Sequence, residues 1–173
     1  MQNTRNFDCL ISAVQLSNRL DDDALRVYDC RFSLFDKEKG YSAYLSGHIP
    51  GASYVHLEND LSGPVTPRTG RHPIPKVDLF IERLGALGLK RENMVVIYDE
   101  GPSAQAARFW WLLRWVGHEN VAVLDGGFKA WQSNGGAVTR GNEANAPRTY
   151  LAQIGSFESV DADDVAGMLN AKT

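Results

Sequence analysis

The chain has 173 residues, of which 43% are hydrophobic and 23% charged, so a wholly disordered or fibrous protein is excluded. Eighteen basic and twenty-one acidic side chains give a net charge of −3, which argues against a general binder of nucleic-acid backbones. No apolar run approaches the roughly 20 residues of a membrane helix, and no signal-type segment follows the N-terminus, so we expect a soluble, cytoplasmic protein.

Short apolar runs alternate with helical patterns along most of the chain. The predicted strands are residues 26–30, 51–55, 94–98 and 121–124. The predicted helices are residues 77–87, 104–116 and 128–133. Strands of four or five residues separated by helices of about ten indicate βαβ units, and hence a parallel sheet with helices on both faces.

The composition changes after Trp131. Residues 133–147 are small and polar, which is typical of a linker, and residues 150–157 are predicted to be extended. A further helix is predicted from residue 159, with acidic residues in its first turn and an apolar face that carries Val165, Met168 and Leu169. This helix either folds back on the first domain or opens a second one.

The two cysteines, Cys9 and Cys30, are too few for a disulfide framework, and no Cys/His spacing indicates zinc. Each lies in a short apolar stretch, so we expect two buried, reduced thiols. The sequence carries no phosphate-binding, dinucleotide-binding or metal motif, and no cofactor is predicted.

The loop after the predicted strand 94–98 is the first place to look for chemistry, because parallel sheets place reactive loops at the carboxyl ends of their strands. It begins with Asp99 and Glu100 and leads into a helix. One interpretation is an acid/base pair. The other, which we favour, is a loop in which Asp99 caps the following helix.

Two histidine-bearing loops are further candidates. His48, in the turn 47–52, is predicted to be a hydrogen-bonded structural residue rather than a catalyst. In the stretch 70–75, Arg71 and His72 stand in a proline-framed loop that also includes Glu58. A carboxylate can fix the tautomer of a histidine and hold the ring for proton transfer, although a surface histidine is the simpler alternative.

The helix 104–116 is crowded with aromatic and basic side chains. They are Arg108, Phe109, Trp110, Trp111, Arg114 and Trp115. Basic residues among aromatics could bind single-stranded nucleic acid, but the acidic chain and the core-like spacing favour packing in the interior. Part of the wide apolar arc could instead cover a partner domain.

Three ordered stretches resemble the rhodanese domain over about residues 8–140. They are Val27-Tyr28-Asp29-Cys30-Arg31, Gly47-His48-Ile49-Pro50-Gly51-Ala52, and Leu124-Asp125-Gly126-Gly127-Phe128 with Trp131. Residues 95–99 and 108–111 resemble, more narrowly, the N-terminal half of two-domain thiosulfate or 3-mercaptopyruvate sulfurtransferases. Residues 147–173 are similar to the interdomain linker of those enzymes and the opening of their second domain.

The resemblance implies an α/β rhodanese-like domain with a mainly parallel, five-stranded sheet in residues 1–140, a linker in 141–158 and the start of a second rhodanese domain in 159–173. In that family the catalytic cysteine follows the fourth strand of the second domain, and the matching position here is Asp99. A carboxylate cannot accept sulfur. Neither Cys30, predicted inside a central strand, nor Cys9, at the domain's start, can replace the nucleophile.

The resemblance also implies auxiliary roles for Glu58 and His72, which match an acidic residue, usually Asp, and a histidine that assist proton movement in the interdomain cleft. Arg71 is a candidate for attracting an anionic substrate, on its charge alone. No metal or cofactor is implied.

The implied function of the whole protein is transfer of sulfane sulfur from thiosulfate or 3-mercaptopyruvate to cyanide or a thiol, through a cysteine persulfide. Its partners would be a small anionic donor, a thiophilic acceptor and the second rhodanese domain, and the 173-residue chain alone would be inactive. The alternative is a non-enzymatic binding or regulatory domain. A phosphatase related to rhodanese is disfavoured, because it also needs a loop cysteine.

Overall fold

The structure, a computed structural model, describes residues 9–154, 159–160 and 162–170, which contain five strands and six helices. The strands are β1 (Leu10–Ile11), β2 (Leu25–Asp29), β3 (Ala52–Tyr54), β4 (Met94–Tyr98) and β5 (Val121–Leu124). The helices are α1 (Ala13–Ser17), α2 (Lys39–Ser46), α3 (Val77–Ala86), α4 (Ala104–Trp115), α5 (Gly127–Ser133) and α6 (Ala162–Asn170).

The five strands form one sheet in the order β1-β5-β4-β2-β3, and every pair of neighbours is parallel. In this register Val27 of β2 lies between Ala52 of β3 and Val96 of β4. The predicted α/β fold with a five-stranded parallel sheet is therefore confirmed.

Both faces of the sheet are covered, which explains why its central strands are continuous apolar runs. Along β4, Val95 and Ile97 belong to a buried cluster that includes side chains of α3 and α4. Val96 and Tyr98, on the opposite face, belong to a second cluster with side chains of α1 and α5. The alternation follows from the two-residue period of a strand.

Three short elements were not predicted, namely β1, α1 and α2. β1 has two residues and α1 five, too few for a periodic pattern to be recognised. The capping box between Ser12 and Gln15 at the start of α1 is the one local signal that could have indicated it. In α2, only Gly40 and Tyr44 are buried, so the helix lacks a broad apolar stripe.

The prediction for the cysteines was right for Cys30 and wrong for Cys9. Cys30 is buried, but it lies one residue beyond the end of β2 rather than inside the strand. Cys9 is exposed, because it precedes the edge strand β1 and only its backbone carbonyl, which accepts a hydrogen bond from the Val123 N–H, joins the sheet.

The segment after α5 packs against the domain instead of leaving it. The Arg148 N–H donates to the Gly85 carbonyl at 2.8 Å, and Tyr150 is buried with its hydroxyl 3.2 Å from Nδ1 of His118. At Gly117, whose φ is +83°, any Cβ would collide with the Gln153 carbonyl. The segment therefore crosses the end of α4 at Gly117, where the absence of a side chain leaves room for its backbone.

Residues 150–154 form no strand, and residues 155–157, which complete the predicted extended stretch, lie outside the described residues. The helix predicted from residue 159 is present as α6, with Asp163 and Asp164 in its first turn. None of its side chains is buried. No helix in the described ranges is both long and apolar enough to cross a membrane.

The buried His118 makes the stability of the domain depend on pH. Its Nε2 lies 3.1 Å from the Asn93 carbonyl oxygen, and burial lowers the pKa of its imidazole to about 4. In the unfolded chain a histidine has a pKa of about 6.5, so between pH 6.5 and pH 4 the unfolded state binds the proton and the folded state does not. His118 therefore favours the fold fully above pH 6.5, and this contribution is lost as the pH falls.

We predict that the free energy of unfolding falls by about 3 kcal/mol between pH 6.5 and pH 4 through His118 alone. Urea unfolding of the wild type and of His118→Gln at several pH values in this window measures the effect. The variant should show the shallower pH dependence. Equal slopes for the wild type and His118→Gln would contradict the prediction.

Candidate functional site at the carboxyl edge of the sheet

The loop after β4 is built around the buried carboxylate of Asp99. Oδ1 of Asp99 accepts hydrogen bonds from the N–H groups of Gly101 (2.9 Å) and Ser103 (3.0 Å). Oδ2 accepts from Gln105 (3.2 Å) and Ala106 (3.3 Å). The Gln105 and Ala106 amides lie in the first turn of α4, where the helix dipole favours a negative charge. The favoured interpretation, that Asp99 caps the helix, is confirmed.

Backbone conformation lets the amides converge on one side chain. Ser103 has φ of +61°, a left-handed conformation that is uncommon outside glycine, and it directly precedes the helix. On the other side, Gly127 lies so close that a Cβ there would be 2.5 Å from the Asp99 carbonyl oxygen. That carbonyl accepts a hydrogen bond from the Phe128 N–H at 2.9 Å. The turn Gly126-Gly127 thus packs directly against the loop after β4.

Glu100 does not join this arrangement. Its side chain is about half exposed and lies 4.0 Å from Nη1 of Arg31. Because both oxygens of Asp99 are engaged by backbone amides, the two carboxylates have separate partners. The structure does not support the acid/base-pair interpretation of the loop.

The neighbouring strand end carries a buried ion pair that sequence reasoning did not single out. Nη2 of Arg31 lies 2.6 Å from Oδ2 of Asp29, and the same nitrogen donates to the Gly47 carbonyl at 2.6 Å. The Tyr98 hydroxyl donates to Asp29 at 2.9 Å, and the guanidinium lies 4.2 Å from the centre of the Phe128 ring. The pair therefore joins β2, β4, the loop 47–51 and α5. An Asp and an Arg two residues apart at the end of an apolar strand are the signal that could have indicated it.

His48 is structural, as predicted. The side chain is fully buried, its Nδ1 lies 2.9 Å from the Tyr44 carbonyl oxygen, and its ring stacks on the Tyr44 ring at 4.2 Å. Nε2 faces the Glu143 carboxylate at 3.4 Å. The imidazole thus holds the turn 47–52 against α2 and the segment after α5.

Glu58 and His72 are brought together, with Nε2 of His72 3.6 Å from Oε1 of Glu58. A third residue, which the sequence did not indicate, completes the group: Nζ of Lys37 lies 2.5 Å from Oε2 of Glu58. The pKa of the Glu58 carboxyl is lowered, chiefly by the hydrogen bond from Lys37 and less by His72. Arg71, by contrast, is exposed and makes no hydrogen bond or ion pair within the part of the chain that is described.

The loop that carries His72 is fixed by Arg108 of α4. Its Nη2 donates to the carbonyl oxygens of Leu61 (2.8 Å) and Pro73 (3.0 Å), which lie on the two sides of the loop.

The aromatic residues of α4 pack against the core, which was the favoured interpretation of this helix. Trp111 and Trp115 stack with their ring centres 6.0 Å apart and are partly buried.

A cavity of about 930 Å³ opens at this edge of the sheet, with Arg31, Phe32, Glu100, Gln105 and Phe128 among its lining residues. Phe32 connects the cavity to the histidine, because its ring meets the His72 ring edge-on at 6.3 Å. Within the described ranges, no group of three His, Cys, Asp or Glu side chains could hold a metal ion.

Cys30 offers no nucleophile to this cavity. The pKa of its thiol is raised well above the usual value, first by burial and then by the negative charges of Asp29, Asp99 and Asp60. A thiol in these surroundings is inert, because sulfur chemistry needs the thiolate.

The chain is similar to known proteins of one family. Residues 12–134 match the family model of the rhodanese-like domain. A probable 3-mercaptopyruvate sulfurtransferase of Pseudomonas aeruginosa is 43% identical over 162 residues, which cover 92% of this chain and 57% of that protein. The putative thiosulfate sulfurtransferase SseB of Mycobacterium tuberculosis is 39% identical over 133 residues, which cover 76% of this chain and 46% of that protein.

The crystal structure of SseA, a 3-mercaptopyruvate sulfotransferase from Escherichia coli, superposes on this chain with a TM-score of 0.83 at 28% sequence identity. The superposition covers 96% of this chain and 65% of that one. The chain spans about half the length of the curated relatives that it matches.

We predict that Asp99→Ala lowers the free energy of unfolding by about 2–4 kcal/mol, because it leaves several amides at the start of α4 without an acceptor. Urea unfolding measures the loss. Glu100→Ala is the matched control, since an exposed side chain next in sequence should change stability by less than about 0.5 kcal/mol. Equal, small losses for the two variants would show that the amides do not depend on Asp99.

Proposed function

The chain belongs to the rhodanese-like domain family, and from that membership we propose that it is the N-terminal, non-catalytic domain of a two-domain sulfurtransferase. The whole protein would move sulfane sulfur from thiosulfate or 3-mercaptopyruvate to cyanide or a thiol. One observation carries the proposal: the loop after β4 holds a carboxylate, Asp99, on the amides that would otherwise bind an anion.

The proposed domains are residues 1–140 as the rhodanese-like domain that lacks the catalytic cysteine, 141–158 as the linker and 159–173 as the start of a second rhodanese domain. The share of the relatives that this chain covers, 57% and 46%, supports the second domain. So does α6, whose Val165, Met168 and Leu169 are exposed although they lie on an amphipathic helix. A cytoplasmic location stays a prediction from the sequence.

In the proposed reaction a cysteine thiolate of the second domain attacks the sulfane sulfur of the donor. The bond from that sulfur to the rest of the donor breaks. Thiosulfate then releases sulfite. 3-Mercaptopyruvate releases the enolate of pyruvate, which takes up a proton to become pyruvate. Cyanide or a thiolate then attacks the outer sulfur of the persulfide and releases the cysteine thiolate. Covalent catalysis of this kind divides one transfer into two displacements.

This domain would contribute the proton chemistry. Glu58 faces His72 at 3.6 Å, and a histidine that gains a carboxylate partner is suited to transferring a proton near neutral pH. The exposed Arg71 would attract the anionic donor. A non-enzymatic binding domain is the alternative, favoured by the exposed Leu34 and Phe35 at the cavity.

The 173-residue chain alone is predicted to have no sulfurtransferase turnover. Thiocyanate formation is measured with thiosulfate and with 3-mercaptopyruvate as donor and cyanide as acceptor. The wild type, Cys9→Ser and Cys30→Ser should all match the uncatalysed rate. Thiocyanate production that is abolished by Cys30→Ser would overturn the assignment of this domain as non-catalytic.

The intact mass and the activity of the protein purified from its source test the proposal for the whole molecule. We expect a chain about as long as the relatives, roughly 1.6 to 1.7 times these 173 residues, that produces thiocyanate from one of the two donors. A native protein of 173 residues without turnover would reject the sulfurtransferase and support the binding domain.

A further inference from the structure

The carboxylate of Glu58 is shared between two partners on opposite sides. Oε2 lies 2.5 Å from Nζ of Lys37, whereas Oε1 lies 3.6 Å from Nε2 of His72. A charge-assisted hydrogen bond between nitrogen and oxygen measures about 2.7–2.9 Å, and 3.6 Å is too long for any hydrogen bond. Glu58 is thus bound to the lysine and only faces the histidine.

The histidine is left unsatisfied by this arrangement. Nε2 of His72 is buried and has no hydrogen-bond partner in the described part of the chain. A buried polar nitrogen without a partner is unfavourable, so a shorter contact with Glu58 would be a gain for His72. What opposes that gain is the pull of the Lys37 ammonium on the other carboxylate oxygen.

Lys37 lies in the connection between β2 and α2, residues 30–38. The same connection contacts the histidine directly, because the Phe32 ring meets the His72 ring edge-on. The Lys37 side chain is 64% exposed, and exposed ion pairs contribute little to stability. The lysine can therefore be withdrawn from Glu58 at low cost when this loop is displaced. The same loop carries Leu34 and Phe35, which are exposed at the cavity.

We propose that Lys37 is a positioning residue that holds Glu58 away from His72, so that the placement of the loop 30–38 sets the strength of the Glu58–His72 contact. Withdrawal of Lys37 gives the histidine a full carboxylate partner. The catalytic meaning of this control rests on the proposed function, but the contact itself can be measured in the 173-residue chain without any turnover.

The charged and titratable groups that act on the Glu58 carboxyl are Lys37 and His72. Lys37→Met removes the competitor, so the Glu58–His72 contact should shorten to a hydrogen bond. Nitrogen-15 and proton NMR of the His72 ring at neutral pH reports this change. We expect the ring to shift toward the tautomer protonated at Nε2, with the Nε2 proton moving downfield and exchanging more slowly with water.

Lys37→Arg keeps the cation and should restore the wild-type spectrum of His72. Lys39→Met, two residues away, is the matched control and should leave the ring resonances unchanged. In a Glu58→Gln background, Lys37→Met should have no effect on His72, since the carboxylate that transmits it is gone. Lys37→Gln provides a second neutral variant with a polar side chain.

Two results would overturn the proposal. One is an unchanged His72 spectrum in both Lys37→Met and Lys37→Gln. The other is a change that persists in the Glu58→Gln background or is not reversed by Lys37→Arg, because it would not pass through the carboxylate. A failure of the proposed function shows up differently, as missing turnover in the native protein with the His72 response intact.

Discussion

The negative charge of Asp99 at the carboxyl end of β4 is the constraint on which the rest of this edge depends. Four backbone amides bind its carboxylate, and its own carbonyl anchors the start of α5. A buried charge is tolerated only when it is paired or hydrogen-bonded, and here the beginning of a helix supplies the compensation. The same amides could bind an external anion, and here a carboxylate of the chain itself takes that place.

The second buried carboxylate of the edge, Asp29, is compensated in a different way. It faces the guanidinium of Arg31, which in turn reaches the Gly47 carbonyl and the Phe128 ring. Removing one member of such a pair leaves the other buried and unpaired. This destabilises the fold by more than the intact pair stabilises it. The two strand ends are connected, because the hydroxyl of Tyr98, the residue before Asp99, donates to Asp29. The Lys37–Glu58–His72 group lies on loops at the same edge, and its lysine is exposed.

Sequence reasoning recovered the parts of the fold that local patterns determine. The length and period of the apolar runs predicted β4, β5 and the parallel sheet, and the position of Asp99 before a helix predicted its capping role. Sequence reasoning missed the contacts that form between segments far apart in the chain. Lys37 meets Glu58 only because two loops fold toward each other, and Tyr150 is buried because a polar segment returns to His118. Cys9 stays exposed because the edge of a sheet buries less than its centre.

The central claim is that Asp99 occupies the anion-binding amides of its own loop. It is tested most directly by following the amide NMR signals of Gly101, Ser103, Gln105 and Ala106 while thiosulfate is added to the 173-residue chain. The account predicts that these signals show no saturable shift, since the carboxylate already holds their hydrogens. A saturable shift of the four amides together would mean that the loop accepts the donor, and would contradict it.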